Sequence, residues 1–131
     1  MNTKRHFRVT IPRTVGSIST VQQRIGDLVQ DFGLSVREVL GIRLAIEEGI
    51  SALAGPAPRP HIPLAPSELL NIECLADPEY LRIEISRDAG LATIPAPHKQ
   101  ALQLTKLVME NIELNEHRLV MERSILPAAP V

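Results

Sequence analysis

The spacing of apolar residues changes period several times along the chain, and each change predicts an element. Residues 7 to 11 alternate, with Phe7, Val9 and Ile11 on one side and Arg8 and Thr10 on the other, until Pro12 interrupts pairing, which predicts a first strand. From Ser17 the repeat becomes helical through Ile18, Val21, Ile25, Leu28, Val29 and Phe32, and Gly33 stands where a left-handed cap would end the helix. Ser35 and Glu38 then match a capping box, the serine oxygen accepting a backbone N–H while the glutamate reaches back. A second helix should follow, to about Ala54. Between Gly55 and Pro66 stand five prolines, at 56, 58, 60, 63 and 66, which forbid helix interior and paired strand and predict a loop.

Further on, Leu70, Ile72 and Cys74 alternate with Asn71 and Glu73, and Leu81, Ile83 and Ile85 alternate with Arg82, Glu84 and Ser86. Asp77-Pro78-Glu79 between the two runs has turn chemistry, so the pair reads as an antiparallel hairpin. Residues 88 to 97, with Gly90, Pro95 and Pro97, predict a second loop. A third helix is expected from about His98 to Asn111, with Ala101, Leu104, Thr105 and Val108 on one stripe, and a final strand from Arg118 to Ile125. Residues 1–126 fit one domain, followed by a frayed Pro/Ala tail at 127–131. The order strand, helix, helix, hairpin, helix, strand does not interleave strictly. It predicts an α+β fold, a mixed and mostly antiparallel sheet covered by helices on one face, in a two-layer sandwich.

Composition narrows the function classes. With 14 Lys+Arg against 15 Asp+Glu the formal charge is −1, so no global field attracts nucleic acid or an anionic membrane. The aromatics are Phe7, Phe32 and Tyr80, too few for a base-stacking platform, and the core must be aliphatic. No run approaches the ~18 apolar residues of a membrane helix, and the start has no continuous apolar signal segment; a soluble, cytoplasmic protein is expected. The single cysteine, Cys74, falls on the apolar side of its strand and reads as a buried structural thiol. His6, His61, His98 and His117 lack metal-ligand spacing.

Two segments carry candidate chemistry. One is the helical stretch Leu44-Ala45-Ile46-Glu47-Glu48-Gly49-Ile50-Ser51-Ala52-Leu53-Ala54; the other is Asp88-Ala89-Gly90 after the hairpin. Taken singly, paired glutamates read as a solvated helix edge and Asp-Ala-Gly as a turn. Taken together, with the order of elements from Phe7 to Ile125, they resemble the anti-sigma-factor serine kinases, a branch of the GHKL ATPases related to histidine-kinase catalytic domains.

The resemblance implies a GHKL-type sandwich and assigns roles residue by residue. Glu48 takes the position of the family's general base, and Ala52, one turn on, takes that of the asparagine that binds Mg²⁺. A methyl group cannot coordinate a metal, so no metal ligand is assigned. Ser51 lies about 100° away around the helix and is a poor substitute. In the adenine-binding loop Asp88 and Gly90 match while the second glycine is Ala92. At the phosphate-binding glycine pair the chain has Lys99 and Ala101, and only Lys99 offers a charge. The segment from Leu91 to His98 is shorter than the family's nucleotide lid.

Three functions follow as expectations. The first is a bacterial regulatory protein that binds a sigma factor or a STAS-domain anti-anti-sigma factor, with ATP and Mg²⁺ chemistry weakened or lost, Glu48, Asp88, Gly90 and Lys99 then being vestigial. The resemblance further implies a homodimer through the edge near the first strand. The second is an active ATP-dependent serine protein kinase, with Glu48 as base, Asp88 reading adenine, and Glu47 a conceivable metal ligand. The third is a purely structural α+β domain.

Overall fold

A computed structural model describes residues 4–54, 69–87 and 102–125. Along the chain they form β1 (Arg5–Pro12), α1 (Val15–Asp31), α2 (Val36–Ala54), β2 (Leu69–Asp77), β3 (Tyr80–Arg87), α3 (Gln103–Val108), β4 (Asn111–Leu114) and β5 (Arg118–Ser124). The five strands make one sheet in the order β1-β2-β3-β5-β4, and every pairing is antiparallel. The architecture is α+β, consistent with a two-layer sandwich, and the described sheet has no parallel pair where a mixed one was expected.

The local signals at the helix ends act as their chemistry requires. The Thr14 side chain accepts from the Ser17 N–H and starts α1, two residues earlier than the hydrophobic repeat suggests. Gly33 adopts φ +95°, a left-handed conformation that a side chain would strain, and its N–H bonds to the Gln30 carbonyl. The capping box closes in both directions, Glu38 N–H to Ser35 Oγ at 3.1 Å and Ser35 N–H to Glu38 Oε1 at 3.2 Å. The hairpin turn is fixed by Asp77, whose Oδ1 accepts from the Glu79 N–H at 2.7 Å.

The third helix departs from expectation. Residues 98–101 lie outside the described residues, Leu102 is already non-helical, and α3 ends at Val108 because Met109 turns extended. Asn111 therefore opens a strand, β4, of which it is the one residue that falls in the expected helix. Cross-strand bonding decides the change: the Glu110 N–H donates to the Glu122 carbonyl, and the Glu110 carboxylate accepts from the Ser124 N–H.

Alternation divides the sheet into unlike faces. Phe7, Ile11, Leu70, Ile72, Cys74, Leu81, Ile83, Ile85, Leu119 and Met121 are buried and join the core residues of α1 and α2. The opposite face carries Arg8, Glu73, Arg82, Glu84 and Arg118, linked by ion pairs. Burial pushes the Cys74 thiol up to about 12, as befits a structural side chain with no exposed surface. Gly49 lets α2 approach the sheet: a Cβ there would stand 2.5 Å from Leu119 Cδ2. Similarly, a Cβ at Gly41 would meet Val108 of α3 at 3.2 Å. No helix among the described residues is long and apolar enough to cross a membrane.

Candidate functional site

The site centres on α2, whose sequence makes it amphipathic on more than one side. Ile42, Ala45, Ile46, Gly49, Ile50 and Leu53 are buried, and the flank beside them carries Gly41 and Glu48 against α3. Glu48 is half-buried, and all its resolved contacts run to α3. Its Oε1 accepts from the Thr105 N–H at 2.7 Å and the Thr105 hydroxyl at 2.8 Å, while Oε2 accepts from the Leu104 N–H at 3.1 Å. The Thr105 hydroxyl also lies 3.3 Å from the Ala45 carbonyl.

These bonds have a definite structural meaning. Residues at the start of a helix have amide hydrogens with no intrahelical acceptor. In α3 the residue at the cap position is Leu102, whose side chain cannot accept, and Glu48 does so in its place from across the interface. A carboxylate offers about four acceptor sites, and here three are filled by donors of α3. The group that sequence resemblance assigned as a base thus holds one helix to another.

Ala52, one turn further along α2, is buried with 1 % exposure. Its methyl adds to the core and provides no donor atom for a cation. Ser51 faces another way, lining a groove of about 330 Å³ between α1 and α2 with Val15, Ile18, Ser19, Gln22, Glu47 and Ile50. Gln22 spans this groove, donating from Nε2 to the Arg43 carbonyl at 2.7 Å. Among the described residues no group of three or more His, Cys, Asp or Glu side chains is placed to hold a metal ion. Asp88, Gly90, Ala92, Lys99 and Ala101 lie outside the described residues, as do the proline-rich segment 55–66 and the tail from Pro127.

At the C-terminal end of α2 stand two arginines that sequence reasoning passed over. Arg13 Nη1 donates to the Ala54 carbonyl and Arg87 Nη1 to the Leu53 carbonyl, each at 2.7 Å. Both cations complement unpaired carbonyls at the negative end of the helix. Arg87 is 8 % exposed, and its buried Nε has no hydrogen-bond partner among the described residues. Burial lowers its pKa from the usual arginine value, opposed by the Glu116 carboxylate and assisted by the Arg13 cation. The signal for Arg87 was parity: it follows Leu81, Ile83 and Ile85 on the inward side of β3. At the other end, Arg123 Nη2 lies 3.0 Å from Glu38, tying the start of α2 to β5. The Glu38 carboxyl is held below its usual pKa by the Ser35 hydrogen bonds and then by Arg123.

No protein-family model matches the chain, and no curated protein is significantly similar to it.

Proposed function

We propose that this chain is a regulatory protein-binding module with a GHKL-type scaffold, acting by association, with the phosphoryl-transfer chemistry of the anti-sigma-factor serine kinases lost. The observation that carries this reading is the state of Glu48, whose oxygens accept the amide hydrogens of Leu104 and Thr105 and the Thr105 hydroxyl. A general base must reach the proton it removes, whereas this carboxylate is already directed into a helix interface. Ala52 supports the same reading: by the resemblance it takes the position of the family's Mg²⁺ ligand, and its methyl is buried. By the resemblance, the partner class is a sigma factor or a STAS-domain antagonist, and the setting is the bacterial cytoplasm.

The test is a calorimetric titration of ATP with and without Mg²⁺, paired with a phosphotransfer assay on a STAS-domain protein. The expected result is no Mg²⁺-dependent gain in affinity and no phosphotransfer. Tight metal-dependent binding, with transfer abolished in Glu48→Gln at unchanged stability, would establish the active-kinase reading instead.

A further inference from the structure

The outward side of α2 carries an unspent pattern. Arg37, Leu40, Leu44 and Glu47 are all exposed, Leu40 at 53 % and Leu44 at 41 %, and they are spaced by three, four and three residues. That spacing is the a/d seam of a coiled coil, with Arg37 and Leu44 at a, and Leu40 and Glu47 at d. At 100° per residue the four lie within one 80° sector, facing away from the core residues Ile42, Ile46 and Leu53. Two neighbouring exposed leucines between a cation and an anion make a small apolar patch with charged ends.

We propose that this seam pairs with the same seam of a second copy, α2 against α2 antiparallel, about a two-fold axis on the outward side of α2 at the level of residue 42. Placing the axis there opposes residue i with residue 84 − i of the partner. Leu40 then meets the partner's Leu44, Leu44 meets the partner's Leu40, and Arg37 at either end meets the partner's Glu47. Each layer matches an a position to a d position, which is the arrangement antiparallel helices require, and the two end layers join opposite charges. A two-fold interface must be self-complementary: here the cation stands three residues before Leu40 and the anion three residues after Leu44. A parallel pairing would oppose Arg37 to Arg37 and Glu47 to Glu47. On α3, which packs against α2, Leu107 is a further exposed apolar side chain. Among the described residues the hydrogen bond to Glu47 comes from Gln22 Nε2 at 3.5 Å, a long contact whose loss costs little when Glu47 turns outward.

This contact uses neither the nucleotide elements nor the free edge of β1, so it stands apart from the functional reading above. Sedimentation equilibrium tests it. The wild-type chain should sediment as a dimer of the 14.4 kDa protomer. Arg37→Glu and Glu47→Arg should each raise the dissociation constant at least about tenfold, since each replaces two attractions by two like-charge contacts. Mixing the two variants in equal amounts should restore the dimer, because a mixed pair again opposes Glu to Arg at both ends. That rescue requires both variants to be folded, so a folding defect cannot imitate it. A monomeric wild type overturns the proposal. So does a dimer insensitive to both charge reversals, which would direct attention to the β1 edge.

Discussion

Glu48 and Glu73 each accept three hydrogen bonds, yet they belong to different kinds of structure. Glu48 sits between α2 and α3 and takes two backbone N–H groups and a hydroxyl, all from residues 104 and 105. Glu73 sits on the open face of the sheet and takes Arg8 Nε at 3.2 Å, Arg8 Nη2 at 2.7 Å and His6 Nε2 at 3.0 Å. The donors differ in what they do when the acceptor is lost. An exposed guanidinium or imidazole turns to water, whereas amides in a packed helix start stay where the fold puts them. Equal numbers of bonds therefore imply unequal structural roles, and a carboxylate with helix amides around it is a framework group before it is a chemical one.

The largest effect should come from Glu48→Ala, which strands the Leu104 and Thr105 amides and leaves the Thr105 hydroxyl only the longer bond to the Ala45 carbonyl. Chemical denaturation should show a loss of about 2–3 kcal/mol, with amide exchange accelerated first in α3. A loss below about 0.5 kcal/mol would erase the distinction between the two glutamates. Thr105→Val removes the hydroxyl alone while keeping the shape and both amides, and should cost about 1 kcal/mol by the same measurement. Combined with Glu48→Ala it should add less than the sum, because the two side chains share one bond.

Glu73→Ala should change stability by less than about 1 kcal/mol, and by less again when salt is raised. The smallest effect is pH-dependent. The Arg8 and His6 hydrogen bonds hold the Glu73 carboxyl below its usual pKa, and the Ser124 amide does the same for Glu110. A folded pKa below the unfolded one means that stability is fully present above the unfolded carboxylate range, near pH 4.3, and is lost as pH falls through the folded value. Denaturation midpoints should therefore decline below about pH 4, and Glu73→Gln should show a shallower decline. An unchanged slope would remove Glu73 from the acid response.

Features set by neighbouring residues were readable in advance. Gly33, the Ser35 and Glu38 box and the Asp77 turn each involve groups a few positions apart, and each forms as its chemistry predicts. Strand β4 went unassigned because Asn111 to Leu114, though alternating, is a run of four residues that only its pairing with β5 distinguishes from a loop. The site divides in the same way. The place of Glu48 on its helix was legible, but its partner, Thr105, lies 57 residues away, and the sequence showed it only as a threonine within an apolar stripe. Arg87 could have been flagged from strand parity, since a cation on an inward position demands an acceptor; that the acceptor is the end of α2 required the fold.

The burial of Cys74 gives the molecule an internal reporter. Its backbone pairs with Phe7 on one side and Ile83 on the other, and its thiol, with a pKa of about 12 and no exposed surface, is almost never an accessible thiolate at neutral pH. An alkylating reagent can reach it only when the helices lift from the inner face of the sheet or β1, β2 and β3 separate. Its labelling rate is then a clock for the opening of the core over the central sheet, and one that ticks at the same site whether α3 is docked or released. Loosening of the α2–α3 contact should leave that clock unchanged wherever the sheet opens independently of α3, and quicken it wherever the two open as one unit.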